Sequence, residues 1–251
     1  MITPFHRAAA LFTLIFLGVT PVNSFGAAWE KTTRLWKDGV VSFQFDSSVN
    51  EEAQKVIQEV MDEYAVHTPI RFKEKKKTLF GGGSYVKFKV LARTEGIQAH
   101  FAGTSVIGSD GGAQELILAP DSATDVYTIS HELGHVLGLE HEHQRPDRDT
   151  VIQIETDNVK PEARKYFEIQ PQIEGLTSFD PASVMNYAYT NNGFAVDGSK
   201  PIITVRGQPN SSYYVYKPTP RDYLGVWKLY STPEKYEAAK ADFRSRGYLV
   251  E

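Results

Sequence analysis

The chain has 251 residues, 41% hydrophobic and 23% charged, and its 27 basic and 31 acidic side chains leave a formal net charge of −4. This is a globular composition, long enough to bury a core without staples, and it lacks the net basic field that holds nucleic acid. Cysteine is absent, which excludes disulfides, thiol nucleophiles and cysteine-ligated zinc.

Met1–Arg7 carries one positive charge and no acid, Ala8–Val19 is apolar or small throughout, and small residues follow around Ser24, Gly26, Ala27 and Ala28. That order predicts a secretory signal peptide over residues 1–26, with cleavage after Gly26 or Ala28. The chain is therefore expected to be secreted, to an extracellular or periplasmic space. No later stretch is long and apolar enough for a membrane span.

Alternation predicts a strand at Val40–Phe45. Ser48 and Glu51 read as a capping box opening a helix whose apolar face runs from Ala53 to Tyr64. Ile70–Phe72, Tyr85–Leu91 and Ala113–Leu118 read as further strands, and Lys73–Lys77 as a solvated turn. Gly81-Gly82-Gly83 lacks the lysine and the strand–helix flanks of a phosphate cradle, so a nucleotide role is rejected. Asp121–Leu139 reads as a helix, with Ser122, Thr124 or Asp125 as its cap and Gly138 as its terminator. Residues 140–232 are proline-rich with little periodicity, apart from short helices at Pro161–Phe167 and Arg221–Tyr230. A polar terminal helix is predicted at about 233–246.

The chemistry concentrates at His131-Glu132-Leu133-Gly134-His135-Val136-Leu137-Gly138-Leu139-Glu140-His141. His131 and His135, four apart on a helix, project from one face at a spacing that zinc can bridge. Gly138 permits a sharp turn that returns His141 to the same ion. Three imidazoles leave a position open for water, the mark of catalytic rather than structural zinc. Glu132 points about 100° round the helix from His131. It is placed not to ligate but to take a proton from water that the ion acidifies, and to return it to a departing amine. The predicted reaction is amide hydrolysis, on protein or peptide substrates.

The extended motif resembles that of the metzincins, and His141-Glu142-His143-Gln144-Arg145-Pro146-Asp147-Arg148-Asp149 is similar to the astacin family in particular. Leu35-Trp36, Gly39-Val40 and Ile70-Arg71-Phe72 match that family's opening half. Ser183-Val184-Met185-Asn186-Tyr187 resembles its Met-turn. The resemblance implies a Zn2+ enzyme of the α+β class, metzincin-like, with two subdomains flanking a cleft. A twisted, mainly parallel mixed sheet and two long helices would lie above the cleft, with an irregular subdomain below. By resemblance, Met185 floors the metal, Tyr187 is an added zinc ligand that swings to the oxyanion, and Glu142 meets the mature amino terminus. The resemblance also makes Ala113–Leu118 the sheet-edge strand that pairs with substrate, and makes Arg206 the lining of the first primed-side pocket, attracting acidic residues.

The expected division is residues 27–138 for the upper subdomain and 139–251 for the lower, terminal helix included. Arg145, Asp147, Arg148 and Asp149 are expected to form a structural ion-pair network. The chain departs from the family in lacking its cysteines, with Pro69 where one is expected, so packing must replace that link. No propeptide segment able to block the zinc is evident, so signal removal after Gly26 is expected to create the terminus that reaches Glu142. Two other readings stay open at this point: a matrixin-like peptidase, and a non-catalytic, zinc-stabilised peptide-binding protein.

Overall fold

A computed structural model describes residues 27–75, 83–92, 101–190, 193–208 and 216–250. The expected signal peptide lies outside the described residues, as do Gly81 and Gly82. The first half contains β1 (Ala28–Trp29), β2 (Val40–Phe45), α1 (Glu51–His67), β3 (Arg71–Glu74), β4 (Tyr85–Val90), β5 (Gly103–Ser105), β6 (Ala113–Leu118) and α2 (Val126–Val136). The second contains β7 (Ile152–Ile154), β8 (Glu174–Gly175), β9 (Ile203–Val205), α3 (Pro220–Tyr230) and α4 (Pro233–Ser245), with short 3-10 turns between them.

The main sheet has the order β3-β2-β4-β6-β5. Its first four strands are parallel and β5 runs antiparallel to β6. Alternate residues of each strand face the helices, so Val41 and Phe43, Val86 and Phe88, and Leu116 and Leu118 line one apolar layer. Ile57, Met61 and Tyr64 of α1 pack in that core with Ile129 and Leu133 of α2. The cap of α1 is Asn50, not Ser48: its side chain accepts from the Ala53 N–H at 2.8 Å. Ser48 is engaged elsewhere, its hydroxyl accepting from Val90 N–H at 3.1 Å, and asparagine caps as well as serine does. β3 runs two residues beyond Phe72, through Lys73 and Glu74, because it pairs in register with β2 as far as Phe43.

A second core gathers Ile152, Val159, Phe167, Phe194, Ile203 and Val205 below the sheet. Tyr223, Leu224 and Val226 of α3 and Phe243 of α4 return to the first core. A cut at Gly138 therefore separates the two cores only in part, since the chain's last two helices pack with the upper one. Without cysteines, the end of α1 is tied to α3 by polar links. Trp227 Nε1–H donates to the His67 carbonyl at 2.9 Å, and the Tyr223 hydroxyl reaches Glu63 at 3.1 Å.

Candidate active site

α2 is shorter than Asp121–Leu139. Pro120–Ser122 form a separate 3-10 turn, and the Asp125 side chain caps the helix by accepting from Thr128 N–H. Inside α2, His131 and His135 stand one turn apart. Gly138 follows at φ +98°, the left-handed conformation that ends the helix, and a Cβ there would also press Leu35 at 3.1 Å. The turn returns His141, whose Nε2 lies 3.2 Å from Nε2 of both His131 and His135.

Each Nδ1 has its own acceptor. His131 donates to the Val184 carbonyl at 2.8 Å, His135 to the Leu139 carbonyl at 2.7 Å, and His141 to Gln144 Oε1 at 2.9 Å. This network assigns the tautomer with the proton on Nδ1, so three Nε2 lone pairs converge on one point. Tetrahedral zinc with Zn–N bonds of about 2.0–2.1 Å sets its nitrogens about 3.3 Å apart, so the trio fits that ion. Burial holds the rings neutral: it pushes His131 down to about 4, His135 to about 3, and His141 well below the usual range. Among the described residues, these three histidines form a group able to hold a metal.

Glu132 is buried beside them and lines the cleft with His131, Tyr127, Tyr187, Phe101 and Phe194. Burial pushes its carboxyl up to about 7, while the Ser105 hydroxyl, 2.8 Å from Oε2, pulls the other way.

Below the histidines, residues 183–187 form a tight turn clamped by α3. Asp222, in a capping box with Thr219, accepts from Ser183 Oγ at 2.6 Å and from Val184 N–H at 3.0 Å. Met185 is fully buried against α2, and its sulfur occupies the space where a Cβ on Gly134 would fall, at 2.4 Å. The Tyr187 ring packs edge-on to His141, with centroids 4.6 Å apart, and stacks on Phe194 at 5.7 Å. Burial raises its phenol, so it stays a neutral donor.

The family model of the Astacin peptidases matches residues 28–214. The chain belongs to the astacin family. It is 32% identical over 207 residues to zinc metalloproteinase nas-14 of Caenorhabditis elegans, which covers 80% of this chain and 38% of that one. It is 26% identical over 230 residues to bone morphogenetic protein 1 of Xenopus laevis, covering 88% of this chain and 31% of that one. The chain thus spans about a third of the length of these relatives. In fold it is similar to high choriolytic enzyme 1, a hatching enzyme zinc-protease from Oryzias latipes. That likeness has a TM-score of 0.64 at 24% identity and covers 79% of this chain and 93% of the other.

In this astacin-family chain the Arg145 guanidinium is wholly buried. It bonds Glu142 at 3.0 Å and Asp147 through two nitrogens at 2.9 and 2.7 Å. Arg148 reaches the His143 carbonyl at 2.7 Å as well as Asp149 at 3.2 Å. Glu142 Oε1 also accepts from Asp180 N–H, while Oε2 has no partner among the described residues. Burial pushes this carboxyl up to about 8. Ala27 is buried, with a left-handed φ of +48°, and its carbonyl accepts from Leu176 N–H.

One expectation changes. The sheet-edge strand is β5, not Ala113–Leu118, because Gly103–Ser105 adds antiparallel outside β6 and leaves β6 interior. Arg206 follows β9, which pairs with β7, and its Nε–H donates to the Asp149 carbonyl.

Sequence reasoning missed Gln144 and His143. Gln144 stands three residues after His141 on a 3-10 turn, a spacing that could have flagged it. His143 is buried, with Nε2–H donating to the Tyr166 carbonyl and Nδ1 accepting from Tyr187 N–H at 3.3 Å, so it helps seat Tyr187.

Proposed function

We propose that this chain is an exported zinc metalloendopeptidase that hydrolyses peptide bonds in protein or peptide substrates. The observation that carries the reading is the convergence of three Nδ1-anchored imidazoles beside one buried carboxylate. His131, His135 and His141 would hold the ion. Bound there, zinc supplies Lewis-acid activation of water and of the scissile carbonyl. Glu132, with its carboxyl near neutrality, accepts the water's proton and passes it to the amine nitrogen as the C–N bond breaks. Tyr187 keeps its phenolic proton and donates it as a hydrogen bond to the oxyanion of the tetrahedral intermediate. Whether Tyr187 also ligates the resting ion is read by metal spectra of Tyr187→Phe. Met185 serves as the apolar floor.

Export rests on the charged, apolar, small-residue order of residues 1–26. Cleavage after Gly26 would leave Ala27 as a free terminus. A terminus has no preceding carbonyl, so the left-handed strain at Ala27 would vanish. Its ammonium would suit the unpartnered oxygen of Glu142. Arg145 links that carboxylate to the Thr177 carbonyl, one residue beyond the Leu176 N–H that Ala27 engages. Amino-terminal sequencing of exported protein that starts well away from Ala27 or Ala28 sinks this part of the proposal.

The activity itself is tested by digesting casein and a peptide library with wild type, with chelator, and with Glu132→Ala. Cleavage lost in both arms is expected. Cleavage that survives either one, or a wild type that binds zinc and peptide but cuts nothing, overturns the reading.

A further inference from the structure

β5 lies over the cleft, and two of its three residues face α2. At Gly103 a Cβ would stand 2.8 Å from Glu132 Cγ, 3.0 Å from Oε1 and 3.1 Å from Thr128 Cγ2. A side chain there would displace the carboxylate. Two residues on, and so on the same side of the strand, Ser105 places its hydroxyl 2.8 Å from Glu132 Oε2 and 3.0 Å from the Glu132 main-chain oxygen. The hydroxyl therefore reaches both the side chain and the main chain of Glu132, and a carboxylate is the stronger acceptor of the two.

We propose that Ser105 is a positioning residue for Glu132. Its hydroxyl holds Oε2 and so fixes the carboxylate in the cleft beside His131. Gly103 is the vacancy that makes this arrangement possible. The edge strand thus acts on the base through a side chain as well as offering its backbone to substrate. The fold has to bring β5 against α2 for this to happen, and those two elements do pack together. The inference rests on reading Glu132 as the general base.

The test uses the zinc-loaded exported chain. Ser105→Ala is expected to lower kcat by ~10-fold or more, as loss of a charge-assisted hydrogen bond to the reacting group predicts, with KM within about twofold and zinc content unchanged. Ser105→Thr, which keeps the hydroxyl, recovers most of the loss. Gly103→Ala, which crowds the carboxylate while leaving the hydroxyl, also lowers kcat. The contact is read without catalysis by melting Ser105→Ala, Glu132→Ala and the double variant. Ser105→Ala lowers Tm in the parent by ~3 °C or more and by less than half as much when position 132 is alanine. Equal Tm shifts in the two backgrounds, or an unchanged kcat in Ser105→Ala, overturn the proposal. So do a loss confined to KM and a threonine variant no better than alanine. Should Glu132→Ala still cleave peptides, it is the base assignment that fails, and the Tm cycle still reports on the contact.

Discussion

Replacing Gly134 by alanine sets two effects of opposite sign against each other. Inside a helix, alanine is favoured over glycine by about 1 kcal/mol. At this position the new methyl would stand 2.4 Å from Met185 Sδ, 3.3 Å from Met185 Cε and 3.4 Å from the Tyr64 hydroxyl oxygen. The first contact is more than an ångström inside ordinary van der Waals separation. Met185 and Tyr64 are both fully buried, so neither can retreat into solvent. Overpacking costs about 1–3 kcal/mol, and a contact this short belongs in the upper part of that range, about 2–3, so the net expectation after the helix gain is destabilisation by about 1–2 kcal/mol. For a chain of this size that is a Tm about 3–6 °C lower by calorimetry. The strain falls next to Val184, whose carbonyl orients His131, so zinc retention against a competing chelator should weaken too. Met185→Ala supplies the control. With the thioether gone, Gly134→Ala should become stabilising, because only the helix preference remains. A parent Gly134→Ala that melts higher than wild type, or a double variant without the reversal of sign, would refute the packing argument.

Gln144→Leu removes the acceptor for His141 Nδ1, and zinc affinity is expected to drop about 10–100-fold in a chelator titration. An unchanged affinity would show that the ring is oriented by other means. Tyr187→Phe should lower kcat by about 10²-fold or more with KM nearly constant, and a loss seen in KM alone would contradict an oxyanion role. Burial, with Asp180 adding to it, pushes the Asp222 carboxyl up to about 6, so the folded chain keeps a proton that the unfolded chain releases near about 3.9. Between those values this group makes stability fall as pH rises. Asp222→Asn, compared with wild type by urea unfolding on either side of that window, should flatten the slope. An identical slope in both proteins removes Asp222 as its source.

The long amphipathic elements were readable because their patterns repeat. α1 carries several apolar turns, and β2, β4 and β6 alternate over six residues each. α3 is expected from Arg221, one residue inside its Pro220 start, an expectation that leaves its Thr219–Asp222 capping box unused. β5 escaped because Gly-Thr-Ser has no alternation to detect and becomes a strand only by pairing with β6. The resemblance puts β6 at the edge, a place that β5 takes. The histidines were legible because i, i+4 and a glycine turn are local geometry. Ser105, Asp222 and His143 act across 27, 38 and 44 residues of chain respectively, and spacing says nothing at that range.

Two of the three imidazole anchors are main-chain carbonyls, those of Leu139 and Val184, and the third is the Gln144 amide. No exchange of side chain at 139 or 184 deletes an oxygen that belongs to the backbone. Those sites can drift in residue type, provided the surrounding path of the chain survives. Gln144 alone exposes an anchor to single-codon change. A designer wishing to remove an anchor outright, without redrawing the scaffold, has one side chain to change.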